Sequence, residues 1–122
     1  MGIEIIFGIL LIHWIADFVL QSDEEAKNKS TDSAYLLSHT SSYTVCWFVL
    51  GAFSSFFIPV DPLALTYFCF ITLVAHTITD YFTSRLNSYL WKKGDSHNFF
   101  VSVGFDQILH YVQLILTYKL LF

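Results

Sequence analysis

The chain has 122 residues, room for a single domain. Hydrophobic residues make up 55% of it and charged residues 13%, about half the charged share of a soluble domain. That composition points to an integral membrane protein, and a net charge of -4 with no basic stripe excludes nucleic-acid binding.

The first apolar run, residues 3–20, is long enough to cross a hydrocarbon core of roughly 30 Å as a helix. It is not a cleavable signal: it lacks a basic leader and carries His13 and Asp17 where a signal core is purely apolar. Met1-Gly2 begins a myristoylation pattern, but Ile6 stands where that pattern wants Ser or Thr. A polar connection follows, residues 21–33, with DEEAKNKSTDS as its body.

The second run, residues 34–58, carries His39 near its start and ends at a proline turn, Pro59-Val60-Asp61-Pro62. Asp61 is the expected N-cap of the third run, residues 63–82, whose helical pattern continues to Trp91. A short loop, Lys92 to Asn98, is marked by Gly94 and Asp95. The fourth run covers residues 99–121. The expected fold is therefore all-α, a single four-helix transmembrane bundle. Cys46 and Cys69 lie within apolar runs and read as buried packing residues, without a disulfide framework.

Basic residues set the orientation. Lys27, Lys29, Arg85, Lys92 and Lys93 flank the first and third connections, and only Lys119 lies on the opposite side. This bias places both connections in the cytoplasm and both termini on the non-cytoplasmic side.

Three histidine–aspartate pairs are spaced by four: His13/Asp17, His76/Asp80 and Asp106/His110. That spacing puts both members on one helix face. Counted along spans of alternating direction at about 1.5 Å per residue, these six and His39 fall in the cytoplasmic half of the membrane. Ionisable groups in lipid are costly and face a bundle interior or a functional cavity. Imidazole with carboxylate is a ligand set for a divalent metal, zinc first, with manganese or iron(II) as alternatives. The candidate ligands are His13, Asp17, His39, His76, Asp80, Asp106 and His110, with His39 a ligand or a general base. A metal-free chain of His–Asp hydrogen bonds is the competing reading, as is plain interhelical bonding.

Gln21 continues the polar face of the first run and Gln107 adjoins Asp106. Either orients a ligand or substrate, or serves as a cap or an interhelical bond. Tyr43, one turn from His39, is a candidate support for it. Lys29 and Arg85 are candidates for binding a phosphate head group, or simply obey the orientation rule. His97 and Asp95 read as solvated loop residues.

The segments HWIADFVLQSDEEAKNKS, LLSHTSSYT, HTITDYFTSRL and FFVSVGFDQILHYVQLI together resemble the small membrane proteins grouped as domain of unknown function 3307. The resemblance covers nearly the whole chain. It rests on His13, Asp17, Phe18, Gln21, His39, His76, Asp80, Asp106, Gln107 and His110. It implies a bacterial or phage source and a location in the cytoplasmic membrane, and it supplies no activity. The polar pattern is also similar in style to membrane-bound metal-dependent hydrolases, which is analogy only.

The leading expectation is a membrane hydrolase with a His/Asp metal site opening to the cytoplasm, acting on a lipid ester or phosphoester. One alternative is a proton or divalent-metal transporter or channel. Another is a non-enzymatic accessory protein. The expected partners are the bilayer, a lipid or phosphorylated substrate and, for so short a chain, a second copy of itself.

Overall fold

A computed structural model describes all residues, Met1–Phe122. It is helical throughout, with no strand: α1 (Ile3–Trp14), a π-helical continuation (Ile15–Val19), α2 (Asp23–Asn28), α3 (Ser33–Ser54), α4 (Pro62–Lys92) and α5 (Ser96–Leu121). The four long segments form a ring of neighbours. The first packs on α3 and α5, α3 packs on α4, and α4 packs on α5, which leaves α1 diagonal to α4. Two of them, α4 and α5, are long and apolar enough to cross a membrane.

The helix boundaries follow from local chemistry. Asp61 accepts from the Leu63 amide at 2.9 Å and Pro62 takes the first helical position, where its missing N–H costs nothing. Asp95 likewise accepts from the Asn98 amide, so α5 begins at Ser96, three residues before the expected start. The loop before it contracts to Lys93–Asp95, and Gly94 takes φ +76°, a conformation that favours glycine. At its far end α3 stops at Ser54, short of the expected 58. There the Ser54 and Ser55 hydroxyls bond back to the Gly51 and Ala52 carbonyls, competing with the helical ladder.

Two departures from the expected pattern matter for the site. The polar connection is not simply a loop, because Ser22 and Glu25 form a capping box that starts α2. The Ser22 hydroxyl accepts from the Glu25 amide, and the Glu25 carboxylate accepts from the Ser22 amide at 2.9 Å. A further bond from the Ser38 hydroxyl to Glu25 at 2.7 Å ties α2 to α3. The first long segment also does not run as an unbroken α-helix: the Leu20 amide bonds the Ile15 carbonyl, five residues back. Such wide turns occur often at functional sites.

The distribution of side chains is inverted relative to a soluble domain. Of the 24 buried residues 13 are polar or charged, while rings and aliphatic chains cover the outside, Phe56 81% and Leu120 77% exposed among them. The apolar core is small: Ile9, Trp47, Leu65, Phe68 and Leu114 with a few neighbours. Gly51 permits the close approach of α3 and α4 there, since a Cβ at that position would meet Leu65 Cδ1 at 2.6 Å. Polar bonds supplement the packing between helices. Gln113 donates to Thr72 on α4 at 3.2 Å, and Thr77 on α4 donates to Thr40 on α3 at 3.0 Å.

Candidate metal centre

Every long segment contributes to one buried polar cluster. His13, His39, His76 and His110 are at most 1% exposed, and Asp17, Asp80 and Asp106 are also buried. The spacing of four acts as expected, since each pair presents both members on the inward face of its helix. The wide turn at Ile15–Val19 delivers Asp17 to the centre, where it meets residues from α3 and α4.

At that centre the Nε2 atoms of His39 and His76 face each other at 3.3 Å. Asp17 Oδ1 lies 3.1 Å from His39 Nε2 and 3.4 Å from His76 Nε2. Asp80 Oδ2 lies 3.4 Å and 3.6 Å from the same two atoms. These are five of the six edges of a tetrahedron, and all four donor atoms lie within 4.8 Å of one another. Zinc bonds of about 2.0–2.1 Å in tetrahedral geometry give ligand–ligand edges of about 3.3–3.4 Å. The same atoms lie near hydrogen-bond distances, so an Nε2–H on each ring directed at an aspartate oxygen is the metal-free alternative for this set.

The surrounding residues fix this centre. Gln107 donates from Nε2 to Asp17 at 3.2 Å and to Asp106 at 3.1 Å, which aims its Oε1 at His13 Nε2, 2.7 Å away. His13 Nε2 therefore donates, and its Nδ1 accepts from the Tyr43 hydroxyl at 2.6 Å. With both nitrogens engaged, His13 stands outside the ligand groups as a support. Tyr43 supports His13 and stacks on the His76 ring at 4.0 Å; it was expected beside His39. His110 Nε2 lies 3.1 Å from Asp80 Oδ1 and 3.4 Å from Asp106 Oδ1. Asp17, Asp106 and His110 form a second group of donor atoms within 4.8 Å, but Gln107 already satisfies one oxygen on each aspartate.

Charge completes the description. Three buried carboxylates face one ammonium: Lys29 donates to Asp80 Oδ2 at 2.7 Å. Either one divalent cation or protonated histidines among the four in the cluster would balance the other two carboxylates.

The match to a family model covers residues 5–122. The chain belongs to the family described as protein of unknown function (DUF3307). No curated protein and no solved structure matches it. The family assignment agrees with the resemblance read from the His and Asp segments and brings no activity with it.

A cavity of about 690 Å³ connects the cluster to the end of the bundle near α2 and the α4–α5 loop. Asp17, Asp106 and Gln107 line its inner part, and Lys27, Lys29 and Lys92 line it as well. Gln21 also lines it, with a buried Oε1 that has no hydrogen-bond partner. Ser84 Oγ and Asn87 Oδ1 are unpartnered in the same cavity, and Asp106 Oδ1 has only the His110 ring nitrogen near it, at 3.4 Å. Arg85 lies elsewhere: its guanidinium bonds the Tyr81 carbonyl and sits over the Tyr81 ring, 3.6 Å from the centroid. Lys29 is drawn inward by Asp80 and is not free at the mouth. No local signal marks this pairing in the sequence, because Asp80 is 51 residues from Lys29.

Two carboxyls outside the bundle are held below their ordinary values. Burial pushes Glu25 up, but bonds from the Ser22 amide and the Ser38 and Ser22 hydroxyls outweigh it and hold the group below its ordinary value. The Asn98 side chain and amide hold Asp95 down in the same way.

Proposed function

We propose that this chain is a multi-pass protein of the bacterial inner membrane and a metal-dependent hydrolase whose centre opens to the cytoplasm. The inverted surface supports the membrane placement, with apolar rings outside and ionisable groups inside. The basic residues Lys27, Arg85, Lys92 and Lys93 support a cytoplasmic location for the α2 and α4–α5 connections and put both termini on the other side.

The observation that carries the metal reading is the near-tetrahedral set of His39, His76, Asp17 and Asp80. The edges among His39, His76 and Asp17 measure 3.1–3.4 Å, and three protein ligands is the number usual for catalytic zinc. Asp80 Oδ2 lies 3.4 Å and 3.6 Å from the two imidazoles and is also engaged by Lys29. With Asp80 held by Lys29, His39, His76 and Asp17 would hold the ion and water would complete its coordination. A divalent ion held there lowers the pKa of water towards neutrality and polarises a scissile bond.

The protein residues then have distinct tasks. Gln107 holds Asp17 and Asp106 in register. Asp106 Oδ1, buried in the cavity with the His110 ring nitrogen 3.4 Å away, would receive a proton from the attacking water and return it to the leaving alcohol. Gln21 is placed to orient substrate. A conducting route through one chain is disfavoured by the apolar packing of Ile9, Trp47, Leu65, Phe68 and Leu114.

The test is an ester-hydrolysis assay on purified, zinc-supplemented protein. Asp106→Asn keeps its metal and loses turnover by about a hundredfold or more, whereas His76→Ala loses both. Equal turnover in wild type and His76→Ala would remove the assignment.

A further inference from the structure

We propose that the cavity beside the centre takes the phosphate head group of an anionic lipid, with a phosphate monoester as the bond cleaved. The inference deepens the hydrolase reading and rests on it for the lipid's fate, though not for its binding. Lys27 and Lys92 line the cavity, and neither is ion-paired, in contrast to Lys29. Two free ammonium groups match the two negative charges of a monoester. Further in, Ser84 is buried with an unpartnered hydroxyl free to donate to an anion. At the rim Trp91 and Phe100 are 63% and 67% exposed while lining the same space. Exposed rings and lysines at the outside of the cavity and a buried hydroxyl and carboxylates within it suit an amphiphile entering head first. A free phosphate ion has no use for the rim.

The step balances. The water oxygen bonds to phosphorus and the phosphorus–oxygen bond to the lipid alcohol breaks. The proton that Asp106 takes from water goes to that alcohol oxygen, and inorganic phosphate leaves.

The test uses the purified, zinc-loaded chain with phosphatidylcholine vesicles that contain or lack phosphatidic acid, with inorganic phosphate as competitor. Binding and phosphate release are both measured. Wild type retains phosphatidic acid selectively, and Lys27→Ala/Lys92→Ala binds it about fivefold more weakly for each lysine removed, with metal content unchanged. Equal binding by the double variant overturns the proposal, as does inorganic phosphate competing as well as the lipid. Selective, lysine-dependent binding without phosphate release upholds the lipid site and overturns the hydrolase reading. Cleavage of an uncharged ester lipid without binding of phosphatidic acid does the reverse.

Discussion

Lys29 raises the sharpest question at the scale of single residues, because it donates to the same Asp80 oxygen that faces the two imidazoles. Breaking a buried ion pair strands the remaining charge, at a cost of about 3–5 kcal/mol. Lys29→Met therefore lowers the stability of chelator-treated protein by an amount of that order. Zinc restores most of it, because the ion takes over the neutralising role. Thermal melts with and without chelator measure this, and a Lys29→Met protein that ignores zinc would count against the shared oxygen. Gln107 makes a second prediction. Its amide holds Asp17, Asp106 and His13 together, so Gln107→Leu weakens metal affinity by about 10–100-fold without removing a ligand. Competition with a metal-binding dye reads this directly.

Among the elements, α2 is held by a side chain whose charge state matters. Glu25 titrates below its ordinary value in the folded chain because Ser22 and Ser38 bond its ionised form. A depressed carboxyl contributes stability that is fully present above the unfolded value of about 4.3 and is lost as pH falls through the folded value. The protection factors of the amides of residues 22–29, exchange rates corrected for the intrinsic pH dependence, should thus be high near neutrality and fall below about pH 4. Glu25→Gln should show no such step. The sequence contained this helix start in Ser22-Asp23-Glu24-Glu25, a capping box hidden within a stretch that read as polar loop. The histidine–aspartate pairs were legible because spacing alone fixes a helix face. The wide turn at Ile15–Val19 was not, since nothing in those residue types separates a five-residue from a four-residue hydrogen-bond step. The Lys29–Asp80 and His13–Tyr43 contacts were equally invisible, being set by how whole helices pack.

For the whole molecule, apolar rings on the outside and ionisable groups inside accord with the proposed membrane placement. On the proposed orientation, Lys27→Cys and Lys93→Cys in spheroplasts react with permeant thiol reagents and stay protected from impermeant ones. A cysteine placed after Phe122 reacts with both. Reversed labelling would invert the orientation and move the cavity mouth to the opposite compartment.

The central claim, that four helices gather imidazole and carboxylate around one cation, is tested most directly by counting metal. Freshly purified wild-type protein, analysed by plasma mass spectrometry after gel filtration, should carry about one divalent ion per chain. The Asp17→Asn/His39→Gln double variant, folded by circular dichroism, should carry almost none. Wild-type and double-variant chains with the same metal content, or a wild type that neither carries zinc nor takes it up, would contradict the account.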